Sequence, residues 1–384
     1  LEVDEMILYT FRAAFTATLT LSLLALFVFT AAAQTATPKP TATPVEDPSD
    51  EVIRVDSKLI VVPVSVTDGD GQPVLGLKDN DFKISEEGKP QVIDHVGAAD
   101  QVPLEIALLF DVSASTDKMF RFEQETAAKF LKGVMRDGDR ATIFSIGMTP
   151  TLVQPRDTSD KSVQSILSIT PQKGATAYFD TVRAAADYLK INAPPGSRKV
   201  IVVISDGDDN YSIGVQKAQL AVERGVVDSK PDPELKRLAS NVQKAQEKAK
   251  VSERVKVLKA LQNADTVHYS INPGGSSYQL NQMSVFGQEN MQTFADDTGG
   301  TAFLPKFLPV DGKDEFANNA NMRKNGELLD RIFRQLTNEL RSQYLIQYYS
   351  EAEFQANKFV KLDVGMTGRT GVKVRARRGY YVKN

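Results

Sequence analysis

Three short segments of this chain carry side chains that could together hold a divalent cation. The first is Asp111-Val112-Ser113-Ala114-Ser115, a carboxylate followed by two hydroxyls at alternate positions. At the end of a strand, that spacing lets three oxygens converge on one point. An oxygen-only donor set suits a hard ion such as Mg²⁺, with Mn²⁺ or Ca²⁺ as alternatives. The second segment is Gly174-Ala175-Thr176-Ala177, which presents the Thr176 hydroxyl on a glycine-containing loop. The third is Ser205-Asp206-Gly207, which adds a second carboxylate. Two carboxylates leave a dication with little excess negative charge around it, so a further Asp or Glu from outside is attracted.

The elements that must position these groups follow from hydrophobic pattern. Asp111 ends the apolar run 104–110, and Asp206 follows the run 199–204. Both runs read as buried strands because they lack polar alternation. Further strands are expected at 141–146, 266–271 and 301–304, with helices at 122–135, 162–169, 179–189 and 326–340. Strands alternating with helices predict an α/β domain over 103–340 with a doubly wound, mostly parallel, Rossmann-like sheet. Ligands in such sheets sit beyond the carboxyl ends of the strands, where Asp111 and Asp206 both fall.

Residues 215–262 break that rhythm. They are rich in Lys, Glu, Gln and Ala and contain Lys230-Pro231-Asp232-Pro233. Two helices are expected, the second long and charged, forming a solvated excursion or, alternatively, a partner-binding arm. Asp208 and Asp209 read as solvated loop residues, with hydrogen bonding to waters around an ion as the alternative.

The flanks are β-rich. Over 51–102, Ile53, Val55 and the run 59–66 precede the turn Asp68-Gly69-Asp70-Gly71, and segments 81–84 and 91–93 surround a second turn at 87–90. Over 341–384, strands are expected at 342–349, 359–364 and 372–376. Fifty residues make a thin core. The two sets are therefore expected to form one small β-sandwich from N- and C-terminal strands, with the α/β domain inserted into it. The stretch from Asp68 to Asp79 half-matches a Ca²⁺ loop, but Pro73 stands where that loop needs Gly, and a hairpin turn is the better reading.

At the N-terminus, Arg12 precedes an apolar stretch over 13–29 and the small residues Ala31-Ala32-Ala33. Residues 1–33 are expected to be a signal peptide, with an uncleaved membrane anchor as the alternative. The Thr/Pro-rich stretch 34–50 reads as an extended linker. Together they predict an extracytoplasmic protein, secreted, periplasmic or attached to the cell envelope, with membrane association possible through the N-terminus.

Composition narrows the chemistry. In 384 residues there is no cysteine, which removes disulfides, thiolate metal sites and Cys nucleophiles, and two histidines cannot build a His-rich zinc site. His268 lies inside an apolar run and reads as packed core, and His95 as a surface residue. A net charge of −3 gives no global basic field for nucleic acid. Tyr344, Tyr348 and Tyr349 read as cross-strand packing. G-x-S-x-G, P-loop and G-x-G-x-x-G fingerprints are absent, so no enzyme is expected.

Asp111-x-Ser113-x-Ser115, the distant Thr176 and the Asp206 of Ser-Asp-Gly resemble, in order, the metal-ion-dependent adhesion site (MIDAS) of the von Willebrand factor type A (VWA) family. The resemblance covers roughly 103–340 apart from the charged stretch. It implies that Ser113 and Ser115 bind the ion directly, and that Asp111, Asp206 and Thr176 bind it directly or through water. It also implies an open position that accepts a partner's Asp or Glu carboxylate, for cell adhesion or protein–protein interaction. Acidic residues that build an adjacent second metal site in integrin β subunits are replaced by Lys118 and Met119, so one ion is expected. The flanks, with Val64–Asp68, Gly76–Phe82, Gly88–Pro90 and Arg378–Tyr381, are similar to VWA-related exported proteins typical of Acidobacteria. An alternative role is a non-enzymatic assembly subunit of an envelope complex that docks through the 215–262 arm.

Overall fold

The computed structural model describes residues 58–113, 117–172, 174–224, 233–273, 282–308 and 313–382. The expected signal peptide and linker, Ile53, Val55, Ser115 and Lys230–Asp232 lie outside the described residues. Four strands come first: β1 (Lys58–Thr67), β2 (Phe82–Glu86), β3 (Lys89–Gln91) and β4 (His95–Ala98). The middle of the chain alternates β5 (Leu104–Asp111), α1 (Asp117–Val134), β6 (Arg140–Ile146), β7 (Thr151–Asp157), α2 (Ser159–Ser168), α3 (Tyr178–Asn192) and β8 (Arg198–Ile204). It continues with α4 (Ile213–Arg224), α5 (Pro233–Asn263), β9 (Thr266–Ile271), α6 (Gln282–Thr298), β10 (Ala302–Phe303) and α7 (Glu315–Arg341). β11 (Tyr344–Ser350), β12 (Phe359–Met366), β13 (Lys373–Ala376) and β14 (Gly379–Tyr381) close the chain.

The central sheet has the order β10-β9-β8-β5-β6-β7. Its neighbours are parallel except β7, which runs antiparallel to β6. Side chains alternate across β5: Leu104, Ile106, Leu108 and Phe110 join a core with Leu131 of α1 and Leu336 of α7. Ala107 and Leu109 join a second core on the other face, with Val182 of α3 and Phe294 of α6. Burial on both faces explains why the strand reads as an uninterrupted apolar run. β7 and α6 are absent from the sequence expectations. β7 is an edge strand interrupted by Pro155, and its pairing with β6 slips register.

Two four-stranded sheets, β13-β1-β11-β4 and β14-β12-β2-β3, flank the α/β layers, and each mixes strands from both ends of the chain. β1 sits between β11 and β13, and β12 between β2 and β14. Ile60, Val62, Val64, Phe82, Ile346 and Val360 fill the core between the sheets. Tyr344 and Tyr348 are buried there, with Tyr344 packed on Phe82 at 5.4 Å between ring centres. The Asp68 carboxylate accepts the Asp70 and Gln72 N–H groups, which closes a hairpin turn with Gly71 at φ +78°.

The charged stretch 215–262 is a solvated excursion only in part. The helices are α4 and α5, but the last turns of α5 form a layer of the fold. Val257 and Leu261, one turn apart, are buried in the core beside α3. α5 also packs on α4, α6, β9 and β14. The Lys and Glu residues around these apolar positions conceal the buried stripe at the level of composition. Among the described residues no helix is long and apolar enough to cross a membrane.

Candidate metal centre

Parallel register sets Phe110 opposite Ile204, so Asp111 and the Ser205-Asp206 pair leave the sheet side by side at its carboxyl edge. Asp111 Oδ1 accepts hydrogen bonds from the Ser113 N–H at 3.0 Å and the Ser113 hydroxyl at 2.7 Å. Its Oδ2 accepts from the Ser205 hydroxyl at 2.7 Å. Thr176 Oγ1 donates to Ser113 Oγ at 3.0 Å, which brings the second segment to the first. Thr176 is held at its backbone: its N–H donates to Asn210 Oδ1 at 2.7 Å, and its carbonyl accepts from the Asn210 and Tyr211 N–H groups. Asp206 Oδ1 accepts from the Asp208 N–H at 3.1 Å. Four of the five expected residues are thus gathered at one edge, and Ser115 lies outside the described residues.

The edge is electrostatically incomplete. Burial pushes the Asp111 carboxyl above the ordinary range, against the lowering effect of its hydrogen bonds from Ser113 and Ser205. Asp206 has an exposed side chain but is crowded by protein atoms. Desolvation raises its pKa first, and the charges of Asp111 and Asp208 raise it further. Tyr178 lies beneath them with its hydroxyl buried and unpartnered. Its pKa is raised by burial and then by the charges of Asp206, Asp209 and Asp111. Among the described residues no Lys or Arg forms an ion pair with Asp111 or Asp206. Two desolvated carboxylates with hydroxyls at hand and no counter-charge fit a hard cation. No group of three or more His, Asp or Glu that could hold a metal occurs among the described residues. The donor set here is two carboxylates supplemented by hydroxyls.

Several supporting residues escaped the sequence reading. Asp208 and Asp209, expected as solvated, are both buried. Asp208 forms a buried ion pair with Lys250 of α5 at 2.8 Å. Asp209 accepts from the Phe179 N–H at 2.8 Å and the Ser212 N–H at 3.0 Å, and burial pushes its pKa up to about 6. These contacts pin the loop after β8 to the start of α3 and to α5. Gly207, at φ +76°, and Gly287 of α6 allow a close backbone approach. A Cβ on Gly207 would lie 2.4 Å from the Gly287 carbonyl oxygen, and one on Gly287 would lie 2.5 Å from the Asp206 carbonyl oxygen. A contact between residues eighty positions apart leaves no local signal. The histidines are remote from this chemistry. His268 is buried in β9 with both ring nitrogens unpartnered, its pKa lowered by burial to about 3, and His95 is exposed on β4.

Residues 106–208 match the von Willebrand factor type A domain, a little over a quarter of the chain and the part that spans all five expected ligands. No curated protein matches. Solved structures with a similar chain path include proximal thread matrix protein 1 from the mussel byssus, at 11 % identity, 66 % of this chain, 50 % of that chain and a TM-score of 0.38. A form of that protein with a zinc-occupied MIDAS motif is similar at 12 % identity, with the same coverage and TM-score. The vWF domain of the type V pili tip protein Mfa5 from Porphyromonas gingivalis is similar at 12 % identity, 61 % of this chain, 95 % of that chain and a TM-score of 0.34. The chain spans half the length of the mussel protein.

Proposed function

We propose that this chain is a non-enzymatic, exported binding protein of the VWA-related kind that resembles acidobacterial proteins. Asp111, Ser113, Ser115, Thr176 and Asp206 form a MIDAS that holds one divalent cation, Mg²⁺ in first place, with Mn²⁺ or Ca²⁺ as alternatives. The bound ion supplies an electrophilic position that attracts an Asp or Glu carboxylate of a protein partner. The observation that carries this reading is the hydrogen-bonded chain Asp111–Ser113–Thr176 beside Asp206, with no basic side chain among the described residues to neutralise either acid.

The chain's own residues prepare the site. Ser205 fixes the second oxygen of Asp111, and Asn210 fixes the backbone that carries the Thr176 hydroxyl. Lys250 neutralises Asp208, which lowers the negative charge of the loop beside Asp206. A non-enzymatic role is supported by the placement of both histidines, one sealed in β9 and one on the sandwich. The apolar N-terminal stretch and the Thr/Pro-rich segment after it support an extracytoplasmic location.

The test is capture of partners from envelope extracts by the full chain, with and without EDTA, beside Asp111→Ala. Capture lost under both treatments is the expected result. Capture of every partner unchanged by both contradicts the reading and favours docking through α4 and the first half of α5.

A further inference from the structure

At the opposite, amino-terminal edge of the parallel sheet, a cavity of about 260 Å³ lies between the starts of β8 and β9 and the face of β1 that carries Leu59 and Val61. Four basic residues line it, Lys58, Arg198, Lys199 and Arg377, against one acid, Asp265, which Arg377 already engages at 2.9 Å. Arg198 is only 6 % exposed, and among the described residues no carboxylate pairs with it. Its Nη1 donates to neutral acceptors, the Leu340 carbonyl at 2.8 Å and Gln343 Oε1 at 3.1 Å, while Nη2 is buried without a partner. Arg377 differs in having a carboxylate partner: Nη1 reaches Asp265 and Nη2 the Val61 carbonyl at 2.9 Å, but Nε is buried and unpartnered.

A buried guanidinium without a carboxylate is costly, and its planar donors match carboxylate and phosphate oxygens better than any neutral group does. Burial, and then the neighbouring Arg341, pull the Arg198 pKa down to about 10, as expected for a cation that lacks a compensating anion. The remaining wall joins the apolar and aromatic side chains of Leu59, Val61, Leu345 and Tyr381 to polar groups such as Ser197, Gln262 and Thr298. The volume is close to the lower end of small-molecule pockets, about 300 Å³.

We propose that this cavity binds a small organic anion, its carboxylate or phosphate group taken by Arg198 and Arg377 and its apolar body seated on Leu59, Val61 and Tyr381. The site is separate from the metal edge and does not depend on it.

The test is isothermal titration of the full chain, in EDTA, with benzoate, phenyl phosphate and inorganic phosphate. One-to-one binding of benzoate or phenyl phosphate, at least tenfold tighter than inorganic phosphate, is expected, and the tighter of the two assigns the head group. Arg377→Gln weakens it at least tenfold. Leu59→Glu, at a half-exposed position of β1 that leaves the core untouched, does the same and decides the matter if the arginine variant unfolds. Asp111→Ala leaves the affinity unchanged. No saturable heat from either aromatic anion, inorganic phosphate binding as tightly as phenyl phosphate, or an unchanged affinity in Leu59→Glu overturns the proposal.

Discussion

Glu86 in the sandwich and Asp111 at the edge of the parallel sheet are both carboxylates surrounded by hydroxyl donors. Glu86 accepts from Tyr348 at 2.8 Å, Tyr380 at 2.7 Å and Ser350 at 2.7 Å, deep between two sheets. Asp111 accepts from Ser113 and Ser205. Glu86 has no second acid among its hydrogen-bond partners, and its donors come from two strands, β11 and β14. Asp111 sits where the chain leaves the sheet and feels Asp206 across the crevice. Similar local chemistry therefore serves two ends. In the sandwich it closes a polar network that joins strands from both ends of the chain. At the sheet edge it leaves oxygens gathered around a deficit of positive charge.

The comparison is sharpest in stability. Glu86→Leu strands three buried hydroxyls, each worth roughly 1–3 kcal/mol when left unpaired, so urea denaturation should show a loss of about 4 kcal/mol. In chelator, Asp111→Ala should cost less than ~1 kcal/mol, since losing the bonds from Ser113 and Ser205 is offset by removing a desolvated carboxylate that repels Asp206. A larger loss for Asp111 than for Glu86 would break the contrast.

Asp208 is a third kind of acid, two residues from Asp206 and neutralised by Lys250. Lys250→Met leaves that carboxylate buried and unpaired, and should cost about 3 kcal/mol by the same denaturation measurement. A neutral outcome would mean that α5 does not anchor the loop. Metal addition separates the two regions directly. At a hundredfold excess of Mg²⁺ over its dissociation constant, stability should rise by about 2.7 kcal/mol in the wild type and Glu86→Gln, and not at all in Asp111→Ala.

A pH effect falls on His268, a titratable group that belongs to neither carboxylate site. Its pKa is lowered from 6.5 to about 3 by burial. Its contribution to stability is complete above pH 6.5 and is lost as pH falls toward the folded-state value, because the unfolded chain takes up the proton first. Between pH 7 and 5 it should account for about 2 kcal/mol of lost stability, which His268→Leu removes from the denaturation profile. An unchanged profile would place the acid sensitivity elsewhere.

Much of the carboxylate edge was legible in the sequence because its acids punctuate two strongly apolar strands. Burial on both faces erases polar alternation, so Asp111 and Asp206 stand out at the points where the runs end. The sandwich was legible because a fifty-residue β segment cannot close a core alone, and the tail offered the missing strands. The burial of the last turns of α5 was missed because its apolar stripe is diluted by Lys and Glu, and the i, i+4 spacing of Val257 and Leu261 is what records the packing. The contacts that stiffen the site, Lys250 with Asp208 and Gly207 against Gly287, join residues forty to eighty positions apart and leave no local pattern. Asp208 and Asp209 looked solvated because acidic residues after a glycine usually are, whereas tertiary partners bury them here.

The most direct test of the central claim is a calorimetric titration of Mg²⁺, repeated with Mn²⁺, into the purified chain, into Asp111→Ala and into Glu86→Gln. The account predicts one binding site in the wild type and in Glu86→Gln, and none in Asp111→Ala. Binding that survives Asp111→Ala, or no binding to the wild type at millimolar ion, would contradict it.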